Sequence, residues 1–334
     1  MDAAVVIHVR EGLIRGGGCL KMRVVFLGTP ELAGCVLEAL FASRHSIAAV
    51  VTRPDMPKGR SGKPVSTPVK ETALRLGLPF MQTKNVNEQV CIGFIRDMKP
   101  DALVVVAFGQ IFKRSFFESA PKYILNLHAS LLPKYRGANP IATAIMDGEK
   151  ITGVSVMQVV NAVDAGPVYL QKKIPILDSD TTDTLTKKIA SLGGTAVVET
   201  LDSIEAGSAV SAPQDESKAT YAAPFSKSDG LVDWTTDAYA LERRIRALDP
   251  WPGAFTFIKR TGMRIRILQA ERTDGNGDHG AVLTADEKGI LVAAGGGALF
   301  IKRLQAAGRN ACTAAEFLRG NKLVAGDLFD NGTS

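Results

Sequence analysis

"MRVVFLG", residues 22–28, decides the fold class. It is a short apolar run without in-and-out alternation, and it ends on a glycine just before Thr29-Pro30 and a helical stretch, "ELAGCVLEALFAS" (31–43). Thr29 is expected to cap that helix and Pro30 to take its first position, because the proline lacks an N–H that would go unpaired there anyway. The same texture recurs outward along the chain. "SIAAVVT" (46–52) reads as a strand, "PVKETALRLG" (68–77) as a helix stopped by Gly77, and 86–98 as a further helix. "ALVVVAF" (102–108) and "YILNLH" (123–128) read as two more strands. Apolar strands separated by helices predict a mostly parallel sheet covered on both faces. Residues 22–206 therefore read as one α/β domain, a doubly wound and Rossmann-like sheet closed by a helix over 182–206.

The texture changes after that helix. Residues 207–229 are small, polar and proline-containing, which predicts a linker. From 230 to 334 come alternating runs such as "AFTFIK", "MRIRILQAE" and "GILVAAGG", punctuated by glycine and aspartate turns. They predict a small β-barrel domain of OB-like type. A length of 334 residues suits two such domains. At the other end, residues 1–21 precede the first clean strand and lack a small-residue cleavage site, so no signal peptide is read. Met22 is expected to be the natural start, with 1–21 a disordered or artefactual extension.

Composition narrows the function class. Hydrophobic residues make up 46% and charged residues 22%, an ordinary globular balance with no apolar run long enough to span a membrane. The formal charge of +6 permits a polyanionic partner without requiring one. Cys19, Cys35, Cys91 and Cys312 lie far apart with no C-x-x-C pair, so neither a metal site nor a disulfide framework is indicated. Buried thiols and a cytoplasmic location are expected. Nucleotide motifs are incomplete. "FLGTPELAG" has Gly28 and Gly34 but lacks the middle glycine of a dinucleotide fingerprint, and no P-loop occurs.

Chemistry concentrates at "NLHASLLPKYRGANPI" (126–141). Residues two apart on a strand face the same way, so Asn126 and His128 can converge on one ligand at the C-terminal edge of the sheet. An imidazole moves protons near neutral pH, and an amide can donate to a developing oxyanion. A lone histidine at a strand end is usually a packed one. A second stretch, "VVNAVDAGPVYLQKKIPI" (159–176), offers Asp164 in a turn, a carboxylate that could fix the imidazole if the fold brings it near.

These two stretches resemble the paired signatures of the folate-dependent formyltransferases. The first matches at Asn126, His128, Ser130 to Pro133, Arg136, Gly137 and Pro140, the second at Asp164 and Gly166. The resemblance implies a formyl donor, 10-formyltetrahydrofolate, and chemistry without a metal. It implies that His128 handles protons, Asn126 donates to the oxyanion and Asp164 tunes His128, while Ser130, Leu131, Leu132 and Pro133 contact the folate. Ala129 stands where many members carry glycine.

The acceptor is suggested by "RPDMPKGRSGKPVSTPVK" (53–70), with Arg53, Lys58, Arg60, Lys63 and Lys70 against a single Asp55. A basic loop leaving the sheet edge suits a phosphodiester backbone. The stretch is similar to the insertion used by the branch of the family that formylates charged initiator tRNA. Arg60 and Lys63 match its basic positions; Gly62 replaces a common basic residue, with Lys58 available to compensate. "LERRIRALDPWPGAFTFI" (241–258) resembles the start of that branch's tRNA-contacting barrel. Arg243, Arg244 and Arg246 read as a solvated helix face and Trp251 as core. A monomer acting on charged initiator tRNA and folate, away from any membrane, is the resulting expectation. A formyltransferase for an amino-sugar nucleotide is the nearest alternative, and an inactive binding module on the same scaffold is another.

Overall fold

A computed structural model of the chain describes residues 21–57 and 62–330. The expectation for the N-terminal extension, and those for Lys58 and Arg60, lie outside these residues. The chain forms two compact units, one comprising the chain up to Gly137 with 152–174 and 186–221, the other 138–151, 175–185 and the chain from Ala222 onward.

In the first unit, strands β1 (Arg23–Gly28), β2 (Ser46–Thr52), β3 (Phe80–Gln82), β4 (Ala102–Val106), β5 (Tyr123–His128), β6 (Ile151–Gln158) and β7 (Val168–Pro175) form one sheet. Their spatial order is β7-β6-β5-β4-β1-β2-β3. β1 pairs in parallel with β2 and β4, β3 with β2, and β5 with β4, whereas β6 runs antiparallel to β5. Helices α1 (Glu31–Phe41), α2 (Pro68–Arg75), α3 (Gln89–Asp97) and α4 (Thr182–Glu205) accompany them. The sheet is a mixed, mainly parallel Rossmann-like one. Val24 to Leu27 and Ala102 to Val104 are wholly buried, which explains why neither run alternates.

Helix α4 reaches the sheet at Gly193. A Cβ there would stand 2.5 Å from Leu127 Cδ2, so only glycine allows so close an approach. Because Leu127 meets α4, its neighbours Asn126 and His128 project to the other face. The start of α1 falls one residue later than the sequence suggests. Pro30 occupies the cap position, and Thr29 Oγ1 instead lies 3.4 Å from the Phe108 carbonyl.

The second unit is built on helix α5 (Ala238–Ala247) and strands β8 (Phe255–Ile258), β9 (Met263–Thr273), β10 (Val282–Asp286), β11 (Gly289–Ala294) and β12 (Gly297–Ala306). The order β10-β11-β12-β9-β8 continues to Phe329–Asp330, and an antiparallel bridge between Ala281 and Leu328 brings the two edges of this curled sheet together. Its core includes Trp234, Leu241, Ile245, Ile265, Ile267, Leu299 and Phe329.

Three expectations change here. Trp251 is 54% exposed, and the buried indole is that of Trp234, which donates to Thr256 Oγ1 at 3.0 Å. The α5 arginines are not simply solvated. Arg243 donates to the Met146 carbonyl, Arg244 to that of Asp229, and Arg246 to that of Asp180 while pairing with Glu242. The first and third of these bonds tie segments 138–151 and 175–185 to α5 within the second unit. Cys91 is buried as expected, and burial first, then Glu88, pushes its thiol up to about 12, but Cys35 is exposed.

Candidate active site

Strand β5 ends where the parallel sheet opens. Its register sets Asn126 beside Val105 of β4 and Met157 of β6, and His128 beside Ser155. Buried apolar neighbours on both sides fix the strand, so its two polar side chains have little freedom to choose another face. His128 is only 6% exposed. Its Nε2 lies 2.7 Å from the Tyr135 carbonyl. A carbonyl only accepts, so Nε2 carries the proton and donates it. Nδ1 is left facing Asp164.

Asp164 reaches the strand end from the turn after β6, thirty-eight positions from Asn126. Its Oδ2 accepts from the Gly137 amide at 2.8 Å and stands 3.5 Å from His128 Nδ1, and its Oδ1 lies 3.5 Å from Asn126 Nδ2. The three residues singled out in the sequence thus meet in one place. Asp164 has φ +51°, a left-handed backbone that non-glycine residues seldom adopt.

The loop between these residues is held from several sides. Ser130 is fully buried, its hydroxyl donating to the Lys134 carbonyl at 2.6 Å and its own carbonyl accepting from Ser155 Oγ at 2.7 Å. The Leu132 amide donates to Ser155 Oγ, and the Leu132 carbonyl accepts from Gln171 Nε2. The polar groups of Ser130 and Leu132 thus brace the loop from within. Leu131 and Pro133 keep partly exposed surface for a ligand.

The stretch expected as a linker does more than connect. Residues 212–222 cross the loop as a strap: Ala212 bridges Val168, the Arg136 amide donates to the Thr220 carbonyl, and the Tyr135 amide to Thr220 Oγ1. Arg136, 2% exposed, sends its guanidinium to both carboxylate oxygens of Glu216 and to Gln214 Oε1. Glu216 holds the guanidinium above its ordinary range, against the opposing effect of burial. The site-building roles of Tyr135, Gly137, Gln214 and Thr220 were hidden in the sequence because all four act through backbone groups or from a polar, coil-like stretch. The only sequence signal was the Arg136-Gly137 pair inside the first signature.

Within the 53–70 segment, Met56–Pro57 and Pro64–Val65 pair antiparallel, with Met56 opposite Val65 and Pro57 opposite Pro64. Lys63 is exposed. Lys70 is already engaged, 2.6 Å from Asp55 Oδ2, so it does not add to the basic surface as the sequence count suggested. Burial alone would raise the Asp55 carboxyl, but hydrogen bonds from Lys70 and Gln82 hold it below its usual value. Across the described residues, one group of three potential metal ligands occurs, His45, Asp202 and Glu205, and Arg44 pairs with both of its carboxylates.

An amide donor, an imidazole and a carboxylate at a strand edge can stabilise an oxyanion and relay a proton, the needs of acyl transfer to an amine. Comparison with known proteins agrees. Residues 22–201 match the family described as formyl transferase, and 224–322 match its C-terminal domain. The chain is 41% identical over 309 residues to methionyl-tRNA formyltransferase of Moorella thermoacetica, covering 92% of this chain and 99% of that one. It is 39% identical to the protein of the same name from Roseiflexus castenholzii, again over 92% and 99%. Among solved structures, HypX from Aquifex aeolicus in complex with tetrahydrofolic acid shares the fold, with a TM-score of 0.62 at 20% identity over 92% of this chain. This chain spans about half the length of that HypX chain, 51%. An N-formyltransferase from Helicobacter canadensis gives a TM-score of 0.61 at 18% identity, over 84% of this chain and 98% of that one.

Proposed function

We infer the reaction from two premises: the chain belongs to the formyl transferase family, and the polar groups at the end of β5 suit transfer of a formyl group to an amine. The protein moves the formyl group of 10-formyltetrahydrofolate to the α-amino group of methionine on charged initiator tRNA, marking it for translation initiation. The observation that carries this reading is the convergence of Asn126, His128 and Asp164 within 3.5 Å contacts. Full-length relatives named methionyl-tRNA formyltransferase support the acceptor.

In this reading the amine nitrogen attacks the formyl carbon, and the carbonyl electron pair moves onto oxygen. Asn126 Nδ2 donates to that oxygen as charge builds. Asp164 holds His128 so that the imidazole takes the proton released by the attacking amine and passes it to the departing folate nitrogen, one proton leaving the amine and one reaching the folate. Ser130, Leu131, Leu132 and Pro133 form the folate side of the site. Lys63, with Lys58 and Arg60, seats phosphates of the tRNA acceptor end, and the curled C-terminal sheet, read as an OB-like barrel, gives the tRNA a second contact. The setting is the cytoplasm; no helix among the described residues is long and apolar enough to cross a membrane.

The test supplies 10-formyltetrahydrofolate with methionyl-tRNA, an amino-sugar nucleotide or no acceptor. Formylation of the tRNA is expected. Formylation of the sugar with none on the tRNA would overturn the acceptor.

A further inference from the structure

We propose that Gln214, from the strap rather than from the strand edge, is a positioning residue that sets Asp164 for catalysis. The inference rests on the reading of Asp164 as the partner of His128.

The Gln214 amide is held on both of its sides. Arg136 can only donate, and its Nε and Nη2 lie 3.1 and 2.8 Å from one end of the amide, so that end is Oε1. The other end is then Nε2, and it meets two groups that can only accept. These are the carbonyls of Asp164 and Gly166, each at 2.8 Å. Donor and acceptor ends are thus assigned by their partners without ambiguity.

The position of these carbonyls matters. They are the carbonyl of the left-handed residue itself, whose carboxylate faces His128 and Asn126, and that of the residue two positions on, so Gln214 fixes the backbone by which the chain leaves the turn that aims it. Gly166 is itself tightly placed, since a Cβ on it would lie 1.8 Å from the Gln158 carbonyl. The turn is therefore pinned at one side by β6 and at the other by the strap. Arg136 links that pin to the loop carrying Tyr135, whose carbonyl orients the far side of the His128 ring. One amide in a stretch of polar coil thereby couples the two anchors of the imidazole. Small displacements of a catalytic group are costly, with about 1 Å enough to lose roughly a hundredfold in rate.

Gln214→Glu separates this role from a merely structural one. A carboxylate keeps an acceptor for Arg136, so the strap stays fastened, but it presents no donor to the two carbonyls. In the full-length protein, with methionyl-tRNA and 10-formyltetrahydrofolate, kcat is expected to fall roughly ten- to hundredfold while KM for both substrates stays near wild type and the thermal midpoint falls less than in Gln214→Leu. Gln214→Leu, which loses both ends, is expected to lower kcat and the midpoint together. Asp164→Ala is measured alongside. If Asp164→Ala is inactive and folded Gln214→Glu retains wild-type kcat, the positioning role of Gln214 is wrong. If Asp164→Ala itself turns over normally, the reading beneath it is wrong.

Discussion

His128 Nε2 is bound more closely by the Tyr135 carbonyl, at 2.7 Å, than its Nδ1 is by Asp164 Oδ2, at 3.5 Å. A backbone group seven residues along the same loop therefore fixes which nitrogen carries the first proton. Asp164 faces the other ring nitrogen. In the proposed mechanism the carboxylate's charge serves the chemistry, whereas its shape serves the Gly137 bond.

Asp164→Asn tests that division. The amide oxygen still accepts from the Gly137 N–H, so the turn is expected to fold and the thermal midpoint to stay within a few degrees. Without the negative charge the proton at the strand edge is no longer stabilised, and kcat is expected to drop by about 10²–10⁴. Steady-state formylation with a melting curve on the same sample checks both halves. A variant that folds and keeps its rate would remove Asp164 from the mechanism.

Asn126→Ala addresses the oxyanion. Its Nδ2 makes only a long 3.5 Å contact with Asp164, so the amide is not locked away from a substrate. Removing one such donor costs about 2.7–4 kcal/mol in the transition state, or roughly 10²–10³ in kcat. Because the interaction strengthens only as charge develops, KM is expected to change little. A rise in KM at constant kcat would instead make Asn126 a ground-state binding residue.

Much of the fold was legible because burial and sequence pattern coincide. The β1 and β4 runs are apolar throughout, and they lie in the middle of a sheet covered on both faces. Asn126 and His128 could be placed together because strand geometry has a period of two. What remained hidden follows from the same physics. Nothing in the spacing between His128 and Asp164 requires their contact; it depends on a left-handed turn and an antiparallel neighbour strand. The strap was read as a linker because its residues are small and polar. Its stability comes from backbone bonds and the buried Arg136, and composition registers neither. Trp251 was misplaced for a related reason: aromatic side chains are usually buried, but in this unit Trp234 fills the core.

Arg136→Lys probes the strap itself. Lysine keeps the charge but is a point donor, and it cannot reach Gln214 and both oxygens of Glu216 in one planar arrangement. The strap over 212–222 is expected to open more often, giving roughly several-fold faster cleavage there by a nonspecific proteinase under native conditions. Formylation is expected to fall with it, since the Gln214 amide loses the anchor on its acceptor side. Mass spectrometry of the first cleavage products locates the cut. An unchanged cleavage rate would show that the strap is held without the Arg136 guanidinium, by its other bonds at Ala212, Gln214 and Thr220.

Acid sensitivity offers a test far from the catalytic edge. His45 has a fully buried side chain; its Nδ1 lies 3.3 Å from the Met22 amide and its Nε2 3.2 Å from Asp202 Oδ1. Burial lowers its affinity for a proton below the ordinary value of 6.5, with Asp202 opposing and Arg44 adding to the effect. The native state therefore binds this proton less readily than the unfolded chain does. As pH falls through 6.5 the unfolded chain takes up the proton first, and the native state loses stability in that window. One such group gives a slope of at most about 1.4 kcal/mol per pH unit, continuing until the native histidine also protonates. Urea unfolding between pH 7.5 and 5 (a range of roughly two to three units, set by the same linkage) measures it. His45→Gln removes the titrating group and is expected to flatten the profile, whatever its stability at neutral pH. If the variant and the wild type lose stability in parallel on acidification, the proton uptake belongs to other groups.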